Sequence, residues 1–237
     1  MLSIAFLLRL CYNIGMVTHD KLHSPESLSR YETLIKTLGA RGLIASYEQE
    51  RATVSLCGHD YYVIGPSTPI DQGASIDIGS KTAIIVDTVR DTALRNFVNK
   101  LSPAYNRIAC PETRKEGLTG LASVVRHVLS YDSEAVIGLY QEDYQSHEPI
   151  VPRGLGYFID MKKGICLQQA LLNAAALEHA RKTKAIPTNA VISLETEHNK
   201  DTAEYHAFTN LLVDSELWRI DSTQPRDKRA VLQASYT

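Results

Sequence analysis

Disulfide scaffolding is the first thing this sequence lacks. Its 237 residues hold four cysteines, Cys11, Cys57, Cys110 and Cys166. That is too few to staple a chain of this size, and the Cys-x-x-Cys spacing of a structural zinc site is missing. Charge of one sign is lacking too. Twenty-five Lys and Arg stand against 27 Asp and Glu, a net charge of −2, which argues against a nucleic-acid partner held by broad phosphate contact. No apolar run reaches the ~18 residues of a membrane-spanning helix, so stable membrane insertion is not expected. Repeats and low-complexity tracts are absent, and no acidic cluster suits calcium, so neither cofactor nor metal is expected. What is present is ordinary: 44% hydrophobic and 22% charged residues, enough for the full core of one large domain or two small ones.

The chain begins MLSIAFLLRL, apolar but broken by Arg9. No basic residue precedes the apolar core, and CYNIG is a poor cleavage site. Three readings stay open: a packed first element, a weak targeting segment, or a working start at Met16. Localisation is accordingly open between the cytoplasm and secretion as an effector.

Ser24-Pro25 reads as a helix start, with Leu28, Tyr31, Leu34, Ile35 and Leu38 at helical spacing and Gly39 as the stop. Ala52–Leu56 and Tyr61–Ile64 flank Cys57-Gly58-His59-Asp60 as a hairpin. Gly65–Gly79 reads as loop, Ala83–Val86 as a buried strand and Thr92–Leu101 as helix. Ser102–Glu116, with Pro103 and Pro111, is the best candidate linker. Helix is expected over Leu118–Leu129, a long loop over Gln141–Gly156, helix over Cys166–Arg181 and a strand over Ala190–Leu194. Ala203–Val213 and Leu217–Ile220 form a second hairpin around Asp214-Ser215-Glu216. The division expected is 1–110, an N-terminal α/β region of unknown role, and 111–237, the region that carries chemistry.

That chemistry gathers in the last third. Gly164-Ile165-Cys166 puts a cysteine at the start of a helix striped by Leu167, Ala170, Leu171, Ala174 and Leu177. At a helix N-terminus, free N–H groups and the dipole favour thiolate and can hold an oxyanion. Taken alone, Cys166 reads first as a small buried apolar residue. The hairpin adds Tyr205-His206-Ala207-Phe208 and Leu217-Trp218-Arg219-Ile220-Asp221-Ser222-Thr223. A thiolate needs a histidine to take and return its proton, and the histidine needs a carboxylate to hold its tautomer. If Val213 stands opposite Glu216, Phe208 falls opposite Asp221, and His206 and Asp221 become diagonal neighbours on one face. A three-residue loop would send them to opposite faces unless a bulge corrects the slip.

The run GIC-helix, YHAF, turn, LWRIDST resembles the catalytic core of the transglutaminase-like superfamily. The resemblance implies Cys166 as nucleophile, His206 as general base and acid and Asp221 as orienting acid, with Trp218 and Thr223 at the flanking positions. It implies an α+β fold: a papain/transglutaminase-like core in which the helix bearing the cysteine packs on an antiparallel sheet bearing His and Asp, with an N-terminal α/β extension. Phe208 stands where the family usually has tryptophan. Asp160 stands where papain-like proteases have glutamine. For the upstream side chain that helps the oxyanion hole, Gln141, Tyr144, Gln145 and Tyr157 are candidates. The implied activity is acyl transfer from an amide of a protein or peptide through a thioester, as deamidation, crosslinking or proteolysis, with a host or cellular protein as the possible target. The alternative is a non-catalytic protein-binding module on the same fold. Cys57-Gly58-His59-Asp60 reads as a turn, Cys110 and His127 lack a third partner, and Glu195, Glu197, His198 and Asp201 read as a solvated loop.

Overall fold

The computed structural model describes residues 25–48, 51–65, 68–199, 204–223 and 230–234. The expectations for Met1–Leu10, Cys11, Met16, the Ser24 cap and Asp201 lie outside them. The fold is α+β, with a mixed sheet, an antiparallel sheet and a two-stranded ribbon. In chain order the elements are α1 (Pro25–Ala40), β1 (Ser46–Glu48), β2 (Arg51–Leu56), β3 (His59–Val63), β4 (Gly73–Asp77), β5 (Thr82–Val86), α2 (Thr92–Asn99), α3 (Ser102–Ala109) and α4 (Arg114–Val128). They continue with β6 (Ser130–Tyr131), α5 (Ser133–Gln145), β7 (Val151–Gly154), α6 (Leu155–Met161), β8 (Lys163–Gly164) and α7 (Cys166–Lys182). The chain closes on β9 (Val191–Asn199), β10 (Glu204–Val213), β11 (Glu216–Ile220) and β12 (Val231–Ala234). Among the described residues no helix is long and apolar enough to cross a membrane.

The first sheet runs β1-β2-β3-β4-β5-β7, antiparallel except where β3 meets β4 and β5 meets β7. Its last strand therefore comes from beyond residue 110. One apolar cluster likewise joins Ile64, Ile70 and Ile84 of the first half to Leu118, Leu171 and Trp218 of the second. Helix α1 closes the other face of this sheet through Tyr31, Leu34, Ile35 and Leu38. Its Tyr31 ring lies so close to Gly65 that a Cβ there would come within 2.3 Å of Cδ2. Leu28, expected on this face, is 42% exposed.

Four stretches expected as loop or linker hold ordered elements. Ser102–Glu116 is not a linker: Pro103 sits in the first turn of α3, where proline costs no hydrogen bond, and Tyr105 and Ile108 are buried. Arg114, at the start of α4, is fully buried; its Nε donates to the Ile108 carbonyl. Within Gly65–Gly79, β4 pairs with β5 and buries Ala74 and Ile76. Gln141–Gly156 divides between the end of α5 and β7, joined by buried Asp143, which pairs with Arg153 and accepts from Thr82. Glu195, Glu197 and His198 belong to β9 and are not a loop; they oppose Phe208, His206 and Tyr205.

The second sheet runs β12-β11-β10-β9 and is wholly antiparallel. Helix α7 packs on it, buried along most of its length. Thr209 donates to the Ala170 carbonyl (2.7 Å) and Asn173 to the Ser222 hydroxyl (2.8 Å). These bonds fix how far the start of α7 stands from β10 and from the end of β11.

Candidate active site

Cys166 is the first residue of α7. Ile165, at the N-cap position, has no polar side chain to accept the first-turn N–H groups, which are left for a thiolate or an oxyanion. Chain entry is set from the other side: Gln168, fully buried, accepts from the Ile165 N–H at 3.0 Å. Its amide nitrogen then has to be the donor toward the Tyr140 hydroxyl, at 2.8 Å. Since Tyr140 accepts there, its own proton is free to point elsewhere.

The β10–β11 connection is the two-residue loop Asp214-Ser215, with Val213 opposite Glu216. Both loop residues have positive φ, 50° and 63°, as a type I′ turn requires. Arg114 holds the turn from beneath, with Nη2 on Asp214 at 2.6 Å and Nη1 on Glu216 at 2.9 Å. The ladder runs unbroken to Thr209 opposite Ile220. One step further, His206 and Asp221 share a face, and His206 Nε2 lies 2.7 Å from Asp221 Oδ2. The other Asp221 oxygen accepts from the Thr223 N–H (3.1 Å) and hydroxyl (2.6 Å). The Asp221 N–H donates to the Ala230 carbonyl, and Arg126 Nε to the Ser222 carbonyl. The carboxylate is 3% exposed and fixed on both oxygens.

With Nε2 taken by Asp221, the imidazole has Nδ1 left for the Cys166 thiol. Burial pushes the thiol up, but the bond to His206 and the Ala207 N–H outweigh it, and the thiol falls below its ordinary value. His206 is raised to about 10, first by Asp221 and then by Cys166. Burial works against ionised Asp221, yet bonds from His206 and Thr223 keep it below the usual carboxylate range. All three shifts favour thiolate and imidazolium over thiol and imidazole. Phe208 stacks beside His206 and carries the Arg219 guanidinium at 3.7 Å, itself paired with Glu197.

Cys166 opens into a cleft of about 760 Å³. One wall is Ile165, Cys166, Leu167, Leu194, Thr196, Tyr205 and Ala207. The facing wall comes from α1 and from β4 and β5, and Tyr140 stands between the two. Cys57 and Cys110 are exposed and do not line it. Trp218 is buried in the core, and Thr223 bonds to Asp221. Gln141, Tyr144, Gln145 and Tyr157 do not line the cleft. The phenol beside Cys166 is Tyr140, raised to about 12 chiefly by burial, with the thiolate charge adding to it. Tyr140 lies one position before the candidate Gln141: the helical turn of α5 places Tyr140 at the cleft and Gln141 in solvent. Among the described residues no group of three or more His, Cys, Asp or Glu side chains is placed to hold a metal ion.

The arrangement sets a thiol in the wall of an open cleft, at a helix start, with an imidazole already bound to a buried carboxylate beside it. Set against protein-family models, curated proteins and solved structures, the chain matches none in any of the three comparisons.

Proposed function

We propose that the protein is a cysteine-dependent acyl-transfer enzyme acting on an amide of a protein or peptide, on a transglutaminase-like arrangement of helix and sheet. The observation that carries this reading is the His206–Asp221 bond of 2.7 Å beside a thiol at a helix start, within an open cleft. Buried structural cysteines have no need of an oriented imidazole.

In this reading the Cys166 thiolate attacks the amide carbonyl carbon. The carbonyl oxygen becomes an oxyanion, received by first-turn N–H groups of α7 and the Tyr140 hydroxyl. The His206 imidazolium gives its proton to the departing nitrogen, the C–N bond breaks, and a thioester remains on Cys166. Water or an amine then adds; neutral His206 takes its proton, and collapse returns the thiolate. Asp221 holds the ring and steadies its charge throughout. With water the net change is amide plus water to acid plus amine; with an amine, it is one amide exchanged for another. Deamidation, crosslinking and proteolysis share these steps and differ in what the cleft admits.

The test is alkylation of Cys166 by iodoacetamide at neutral pH, followed by intact-mass analysis of protein substrates. Fast modification at Cys166, lost in His206→Ala, is expected. An inert Cys166 would overturn the reading and leave a binding module.

A further inference from the structure

Deepening that reading, and resting on it, the charge of the cleft bears on its substrate. Its lining is neutral over most of its area: hydroxyls of Ser29, Thr33, Thr37, Ser75 and Thr82 among isoleucines, leucines and tyrosines. Among the described residues two charged side chains line it. Asp77 is committed to its own turn, accepting from the Gly79 N–H at 2.9 Å and the Ser80 hydroxyl at 2.8 Å. Arg30 is different. Its guanidinium carbon lies 3.9 Å from the centroid of the Tyr205 ring, and Nη1 donates to the Thr196 hydroxyl at 3.0 Å. Among the described residues it makes no ion pair. Stacking fixes the plane of the fork, and one of its five N–H donors has a hydrogen-bond partner among the described residues. Tyr205 is also the residue whose carbonyl lies 4.0 Å from Cys166 Sγ. The oriented cation therefore stands one residue from the nucleophile.

We propose that Arg30 forms an anion subsite that takes a carboxylate of the substrate close to the amide under attack, so that the enzyme selects acidic peptide segments. A planar fork held on a ring matches a carboxylate through paired hydrogen bonds. A lysine-bearing segment meets like charge at Arg30, and both oxygens of Asp77, the one acid among the described lining residues, already accept hydrogen bonds. Two sources supply this chemistry, an acidic side chain and a chain-terminal carboxylate.

The experiment measures the rate of Cys166 alkylation by four chloroacetyl peptides: chloroacetyl-Gly-Glu amide, chloroacetyl-Gly-Gln amide, chloroacetyl-Gly-Lys amide and chloroacetyl-Gly-Gln with a free C-terminal carboxylate. In each the thiolate displaces chloride and a thioether forms. Wild type is expected to prefer an acidic probe over the neutral amide by about 10–100-fold. Whichever of the two acidic probes reacts faster identifies the source. Arg30→Gln should abolish the preference, read as the ratio of acidic to neutral rates within the one variant, and Arg30→Glu should shift it to the lysine probe. Arg30 is exposed, so neither substitution empties core space. Equal rates for all four probes, or a preference that survives in Arg30→Gln, would overturn the subsite while Cys166 still reacts with iodoacetamide. Failure of every reagent would instead strike the catalytic reading itself.

Discussion

His206 Nε2 and Asp221 Oδ2 lie 2.7 Å apart although the two residues are diagonal, not opposed, in the β10–β11 register. Opposed pairs bring Cβ atoms too close for an imidazole and a carboxylate to meet end on. The diagonal leaves ~7–8 Å between backbone positions, which the two side chains span. Register, and so the turn, decides whether this bond forms.

One added residue in the turn should therefore disarm the protein without unfolding it. Inserting glycine between Asp214 and Ser215 is expected to move Asp221 to the other face and remove the fast iodoacetamide reaction of Cys166, with far-UV circular dichroism retained. Ser215→Gly, which keeps the loop length and relieves one positive φ of 63°, should keep the reaction and stabilise the fold by about 0.5–1 kcal/mol.

Cys166→Ala and His206→Ala should each lower kcat/KM by about 10⁴-fold or more, since nucleophile and base act as one unit. Asp221→Asn should leave at least about tenfold more residual activity, because a base is still present but poorly held. Wild-type activity in Cys166→Ala on any amide would remove the nucleophile.

Turnover should depend on pH through the His206 proton. The working pair is thiolate with imidazolium, so the alkaline limb should fall near pH 10, where His206 deprotonates. The raised value means its contribution to folding stability is fully present below pH 6.5, the unshifted histidine value, and is lost as pH rises through about 10. Asp221 is the leading cause of the raise, so Asp221→Asn should draw the alkaline limb to lower pH. A limb unmoved by that substitution would assign it to another group.

Tyr140→Phe removes one hydroxyl. If that hydroxyl receives the oxyanion, kcat should fall about 10²–10³-fold with KM little changed. A loss confined to KM would make Tyr140 a wall of the cleft only. The buried Gln168 amide would also lose its acceptor, lowering stability by about 1–3 kcal/mol, which denaturant unfolding reads separately.

Arg114→Ala should destabilise the protein by about 2–4 kcal/mol, through a buried cavity and three lost hydrogen bonds. Asp214 and Glu216 are 48% and 38% exposed, so water can solvate the charges left behind. Unfolding within about 0.5 kcal/mol of wild type would show that the turn holds itself.

The helix of Cys166 and the hairpin of His206 and Asp221 were legible because each carried its own local rule: Gly164 and a helical stripe for one, alternating runs around Asp214-Ser215 for the other. Where residues carry two meanings, the reading failed. Gly73 falls in the stretch that reads as loop, but it opens β4, where a Cβ would come within 2.6 Å of Ile64 and 2.8 Å of the Ile70 carbonyl. Pro103 looked like a break, yet it opens a helix. Asp143 in a polar stretch suggested a loop; its partner Arg153, which makes burial tolerable, lies beyond the end of that helix. Tyr140 and Arg30 were out of reach for a different reason. Their places beside Cys166 depend on how α1 and α5 dock, and no local pattern encodes that.

The two walls of the cleft come from different stretches of chain. Cys166, His206 and Asp221 come from the last third of the sequence, whereas Ser29, Arg30, Thr33, Ser75 and Thr82 of the facing wall come from residues 29–82. In the proposed reading, substitutions at those wall positions would change what the cleft admits while leaving the His206–Asp221 bond and the start of α7 as they are.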